Sequence, residues 1–205
     1  MLATSRTLVF LLLLAATLVL GGCATRPPAN SNNLCEIFEE NRSWHRQARQ
    51  AEKRWGIPVP VKMAFVHQES SFQARAKPPR KRFLRIFPGS RPSSAYGYSQ
   101  ALDGTWEEYR QDAGRRLARR NNFGDAIDFV GWYNARSVRC CNIRPNDAYR
   151  LYLAYHEGHG GYRRGTYRNK PELQRVARRV AAQANRYEQQ YNQCRSRLER
   201  RWIFF

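Results

Sequence analysis

From Leu34 onward the apolar residues return at the three- and four-residue spacing of a helix face, and this period argues for a mainly α fold. The last stretch is the plainest. Leu173, Val176, Val180, Ala184, Tyr187 and Tyr191 form one stripe of a helix predicted from Pro171 to about Arg197. Residues 34 to 55 carry Ile37, Phe38, Trp44, Ala48, Ala51 and Trp55 at helical intervals, and Gly56-Ile57-Pro58 ends that run. Pro58 suits the first turn of the next helix, predicted over about Val59 to Ser70 with Val61, Ala64, Phe65 and Gln68 toward the core. Asp103 is a candidate N-cap for a helix to about Arg120. A further helix covers Asp125 to Val138, and Asn146 or Asp147 caps one that reaches Tyr155. The Gly-rich stretch Gly158 to Gly165 is expected to end it.

The front of the chain reads differently. Arg6 precedes an apolar run from Thr7 to Leu20, the length of a signal-peptide core and too short to span a bilayer comfortably. The run closes on Leu20-Gly21-Gly22-Cys23, which resembles a bacterial lipobox. Residues 1–22 are therefore expected to be a lipoprotein signal, with Cys23 as the lipidated residue. Residues 23–33 form a polar tether, rich in Pro, Asn and Ser. Each buried acyl methylene contributes roughly 0.8 kcal/mol, so two or three chains hold a domain on a membrane. The residue after Cys23 is Ala24 rather than Asp, which points to the outer membrane, facing the periplasm.

Residues 34–205 then make one domain, large enough for a sizeable core and expected to act as a monomer. Cys35, Cys140, Cys141 and Cys194 lie in a chain read as exported, where disulfides persist. Four cysteines allow three pairings. Because neighbours bond each other only with strain, Cys35 and Cys194 are expected each to reach the 140–141 pair. No His or Cys spacing matches a metal site, and neither a metal nor a cofactor is expected. The net charge of +20 invites a nucleic-acid reading, which the export signal opposes. Outside the cytoplasm the polyanions are peptide carboxylates, teichoic acids and lipid phosphates. A basic, proline-rich insertion at about 77–94 is expected to meet such a polymer.

Three short segments carry the chemistry. They are Glu69-Ser70-Ser71-Phe72, Ala95-Tyr96-Gly97-Tyr98-Ser99-Gln100 and Ala154-Tyr155-His156-Glu157-Gly158-His159-Gly160-Gly161-Tyr162. In this order they resemble the catalytic core of SLT-domain lytic transglycosylases, a lysozyme-like family that acts on peptidoglycan. The resemblance runs over roughly residues 55 to 190. It departs at Tyr98 and Ser99, where an apolar pair is usual, at His156, where Asn is usual, and in the longer gap between Phe72 and Ala95.

The resemblance implies a lysozyme-like helical domain of the SLT and goose-type kind, with Glu69 as a single catalytic carboxyl. It would cleave MurNAc–GlcNAc β-1,4 bonds and leave 1,6-anhydroMurNAc ends. An apolar wall from Met63-Ala64-Phe65-Val66 and Phe72 would keep Glu69 protonated. Ser70 is read as orienting Glu69 or touching substrate, with a helix-end cap as the other reading. Gly97 lets the backbone approach closely, and Gln100 offers an amide that donates and accepts. Tyr155 would line the cleft and His156 would donate to sugar or stand solvated. Tyr96, Tyr98 and Tyr162 are candidate sugar platforms or packing groups. A second carboxylate, which ordinary glycosidases need, has only Asp103, Glu107, Glu108 and Glu157 as candidates. The alternatives are a goose-type-like muramidase on the same fold and a non-catalytic wall-binding lipoprotein.

Overall fold

The computed structural model describes residues 26–79 and 93–200, together with the backbone of two paired strands, β1 (Arg82–Phe83) and β2 (Phe87–Pro88). The signal segment, Cys23 and most of the basic insertion lie outside the described residues. The rest is helical: α1 (Leu34–Glu40), α2 (Arg42–Trp55), α3 (Val59–Ser70), α4 (Asp103–Asp112), α5 (Phe123–Cys141), α6 (Ala148–Arg164) and α7 (Pro171–Arg200). This is the lysozyme-like helical domain that the resemblance implies.

Local chemistry sets the boundaries. Asn33 caps α1 by accepting from the Cys35 and Glu36 amides, and α2 restarts at once behind Asn41, so the single run expected over 34–55 is two helices. Gly56 ends α2 in the left-handed region (φ 73). Asp147 caps α6 and Asn122 caps α5, each accepting an amide from its helix's first turn. The helix begun at Asp103 stops at Asp112 rather than near Arg120. Arg115 to Asn122 instead turn back on themselves, with the Asp125 carboxylate accepting from the Arg119 amide and pairing with Arg115. Gly158 breaks α6 with φ 71 and ψ 157, yet the chain resumes helix to Arg164 beyond it. The glycine-rich stretch therefore kinks the helix instead of ending it.

Helix α3 is the axis of the domain. Every residue from Val59 to Val66 is buried, so the one-sided stripe expected there is replaced by a helix enclosed on all sides. α3 packs on α7 and α5, and α5 packs in turn on α2 and α6. Lys62 is carried into this core, where its ammonium donates to the Ile57 carbonyl at 2.7 Å. Beside the end of α3, Trp44 stacks on Phe123 at 4.0 Å, with Phe72 and Tyr98 completing the aromatic cluster.

The disulfide expectation is overturned. Cys35 bonds Cys194, with Cα atoms 6.0 Å apart, while Cys140 and Cys141 are free thiols at the end of α5. The cause is the docking of α1 along α7. The Leu34 amide donates to Gln190, and the Tyr187 phenol donates to the Ser31 carbonyl, which sets Cys35 beside the next turn of α7.

Candidate active site

Glu69 is the penultimate residue of α3, and the chain leaves the helix through two consecutive left-handed residues, Ser71 (φ 48) and Phe72 (φ 61). A bulky side chain pays a steric cost of about 1–3 kcal/mol in that region. Full burial of Phe72 against Trp44 holds it there. Gln100 is also left-handed (φ 49), so three of the four such non-glycine residues among those described flank this site.

The Glu69 carboxyl is partly buried, and burial pushes its pKa up to about 7; a hydrogen bond from the Tyr152 phenol opposes that rise. Burial, and after it the Glu69 charge, holds the Tyr152 and Tyr155 phenols well above their usual range, so both remain protonated donors. Phe65 meets Tyr152 and Tyr155 edge-on, each with ring centroids 5.3 Å apart, and supplies part of the apolar wall anticipated around the acid. Tyr152 was not anticipated from the sequence. The signal was available in the spacing Tyr149, Tyr152, Tyr155, which sets Tyr152 one helical turn before a residue already of interest.

The loop 96–100 is wedged between α3 and α6. Ser70 donates its hydroxyl to the Tyr98 carbonyl at 2.9 Å and the Val66 carbonyl at 3.1 Å, while Tyr155 donates to the Ser99 carbonyl at 2.6 Å. Ser70 is buried and its only proton is shared between two carbonyls, so it ties the loop to α3 and does not reach substrate. Gly97 has φ +77, and a Cβ there would sit 2.1 Å from the Arg120 carbonyl oxygen. It serves close backbone packing, as the sequence suggested, and is buried away from substrate. Tyr98 is fully buried against Trp44 and Phe123, so its place as a substrate contact is also corrected.

Gln100 donates both amide protons, to Ala76 O at 3.0 Å and Gly97 O at 2.8 Å. Only its oxygen remains available, so it can accept a donor but cannot donate to the Glu69 carboxylate. His156 is exposed on the wall of a cleft of about 480 Å3, lined also by Gln68, Tyr152, Lys170, Leu173 and Val176. This cleft adjoins the acid through Gln68, its chain neighbour, and Tyr152, its hydrogen-bond donor. Tyr162 stacks on Tyr167 at 5.2 Å, so one ring face is covered by the protein itself.

The four candidate second carboxylates are all engaged elsewhere. Asp103 pairs with Arg120, Glu107 with Arg110, and Glu108 with Arg136. Burial would raise Glu157, but hydrogen bonds from Lys170, Thr166 and His156 outweigh it and hold that carboxyl at about 2. Among the described residues, none of these acids acts on Glu69.

A lysozyme-like helical domain with an acid of raised pKa beside a cleft defines the general class, a fold arranged for general acid–base chemistry. A family model described as "Transglycosylase SLT domain" matches residues 11–194, and the chain belongs to that family. Membership indicates transglycosylase-type activity on peptidoglycan and binding of that polymer. A search of curated proteins found no match.

Proposed function

We propose that the chain is a lytic transglycosylase that cleaves MurNAc–GlcNAc β-1,4 bonds and forms 1,6-anhydroMurNAc, with Glu69 as acid and then base. The observation that carries this is a lone carboxyl whose burial raises its pKa to about 7. Such a group is half protonated near neutrality, which suits it to give a proton and take one back. Glu69 donates its proton to the bridging oxygen as the C1–O bond breaks. The substrate's own acetamido oxygen supports the oxocarbenium-like centre, the part a second carboxylate plays in ordinary glycosidases. The Glu69 carboxylate then removes the proton of the 6-hydroxyl as that oxygen bonds C1. No water is consumed, and Glu69 ends as the acid it began as.

The Gln100 oxygen is suited to accept the acetamido N–H, and His156 stands on the wall for sugar hydroxyls. Lipidation at Cys23 would hold the enzyme at the outer membrane, facing the wall. Mass spectrometry of digested sacculi tests the reading. Anhydro ends are expected, and their loss in Glu69→Gln. Reducing ends would instead assign the chain as a muramidase, and sacculus binding without any lysis would assign it as a wall-binding lipoprotein.

A further inference from the structure

A second groove, of about 310 Å3, opens beside the segment that leads into Gln100. It is lined by Lys77, Ser93, Ser94, Tyr96, Asp103 and Arg120. Two cations flank one ring there: Lys77 Nζ lies 5.3 Å and the Arg120 guanidinium 5.4 Å from the Tyr96 centroid.

The two cations are not equivalent. Arg120 is spent on the protein, donating to the Ser94 and Ala101 carbonyls and pairing with Asp103 at 2.7 Å. Lys77 is exposed and has no carboxylate within ion-pair distance among the described residues. Among the described residues, the groove therefore holds one uncompensated positive charge. Its hydroxyls lean the same way. Ser93 Oγ accepts from the Ala95 amide at 3.4 Å and Ser94 Oγ from the Asp103 amide at 3.1 Å. Each hydroxyl has one proton, and among the described residues neither gives it to the protein, so both remain free to donate.

The groove is also fixed in relation to the acid. The carbonyl of Ala76, next to Lys77, accepts from the Gly97 amide and from Gln100. The same loop is bound to Ser70 and Tyr155 on its other side. The site is thus one ammonium and two hydroxyl donors over an aromatic floor, tied by hydrogen bonds to the loop that also meets Ser70 and Tyr155.

The geometry points to an anion subsite in which Lys77, Ser93 and Ser94 over Tyr96 receive a carboxylate of the peptides borne by the glycan strand. This assignment rests on the reading of the chain as a peptidoglycan enzyme. It adds that the preferred polymer carries its peptides, and that bare glycan binds without using this groove. A phosphate oxyanion presents similar chemistry, so the test separates the two.

Affinity is measured in a Glu69→Gln background, so that the strands stay intact, at low salt where exposed charges act most strongly. Three ligands are compared: peptide-bearing strands, strands stripped of peptide by an amidase, and peptide-bearing strands whose carboxylates have been amidated. Lys77→Gln is expected to weaken the first about three- to tenfold and leave the other two unchanged, with Lys77→Arg retaining most of the affinity. Equal weakening on all three, or none on any, overturns the subsite. Competition by millimolar inorganic phosphate without discrimination among the strands overturns the assignment to peptide carboxylates. Absence of anhydro products from the wild-type enzyme would sink the reaction proposed above, while the difference between peptide-bearing and stripped strands would still report on the groove.

Discussion

The Tyr152 phenol donates a hydrogen bond to the Glu69 carboxyl, so the residue that shields the acid also limits how weak an acid it becomes. Burial alone favours the neutral form, whereas a phenol proton aimed at the carboxylate favours the charged one. The balance leaves Glu69 at about 7. A weaker acid would give up its proton reluctantly, and a stronger one would seldom hold it when the glycosidic bond breaks and would be a feeble base afterwards.

Removing that donor should therefore move the pH profile in a fixed direction. In Tyr152→Phe the carboxylate loses its stabilising bond, so the carboxyl titrates higher and the alkaline limb of kcat/KM shifts upward by roughly one pH unit. The ring and its contact with Phe65 remain, so folding should be little affected. The check is kcat/KM for anhydro-end release between pH 5 and 9. An unmoved limb would mean that some other group sets it.

The same carboxyl should cost stability as it ionises. Its pKa is about 7 in the folded chain against about 4.5 unfolded. Between those values the native state holds a proton that the unfolded state has released, so stability falls as pH rises through that window. Glu69→Gln has no such loss. Its melting temperature should match the wild type near pH 4.5 and exceed it by about 5 °C at pH 8, corresponding to about 2 kcal/mol once the open side of the carboxyl is allowed for. Calorimetry at the two pH values reads the difference.

Much of this was legible in the residues. The helices with one apolar stripe, such as α7, emerged nearly in register, because a half-buried helix writes its period into the chain. Helix α3 was placed correctly at its ends, but its full enclosure was not, since an all-apolar run has no side to read. Motif order singles out Glu69 and Tyr155, and the structure sets both beside Phe65 and the 96–100 loop. Ser70 and Tyr98 stay open between substrate and structure in the sequence, and both build the loop, because a short motif records which residues matter and not which way they face. The Cys35–Cys194 link depended on how α1 docks along α7, a contact separated by 159 residues that no local pattern encodes.

Gly97 offers a direct test of the loop's construction. An added methyl would stand 2.1 Å from the Arg120 carbonyl, on backbone that disfavours any side chain. Relaxing the clash would pull the loop from Arg120 and disturb Gln100 and the Ser70 tie together. Gly97→Ala is expected to lose at least about 2 kcal/mol in urea unfolding and most of its activity. Retention of both would show that the loop is looser than its hydrogen bonds imply.

The disulfide separates two readings of the cysteines by simple chemistry. Cys35–Cys194 joins the first helix to the last across nearly the whole domain, with a sequence separation of 159. A cross-link closing so long a loop restricts the unfolded chain strongly, and removing it is expected to cost about 2–5 kcal/mol. Cys140 and Cys141 carry no such burden, being free at the surface end of α5. Alkylation of the folded, unreduced enzyme should label Cys140 in preference to Cys141, because burial holds the Cys141 thiol up at about 12 and the shared hydrogen bond with Cys140 adds to that. Peptide mapping should recover a 35–194 cross-linked pair, and the double variant Cys35→Ser with Cys194→Ser should unfold at lower urea while Cys140→Ser stays near wild type. A 35–140 or 141–194 peptide in that map would refute the docking of α1 on α7 from which the link follows.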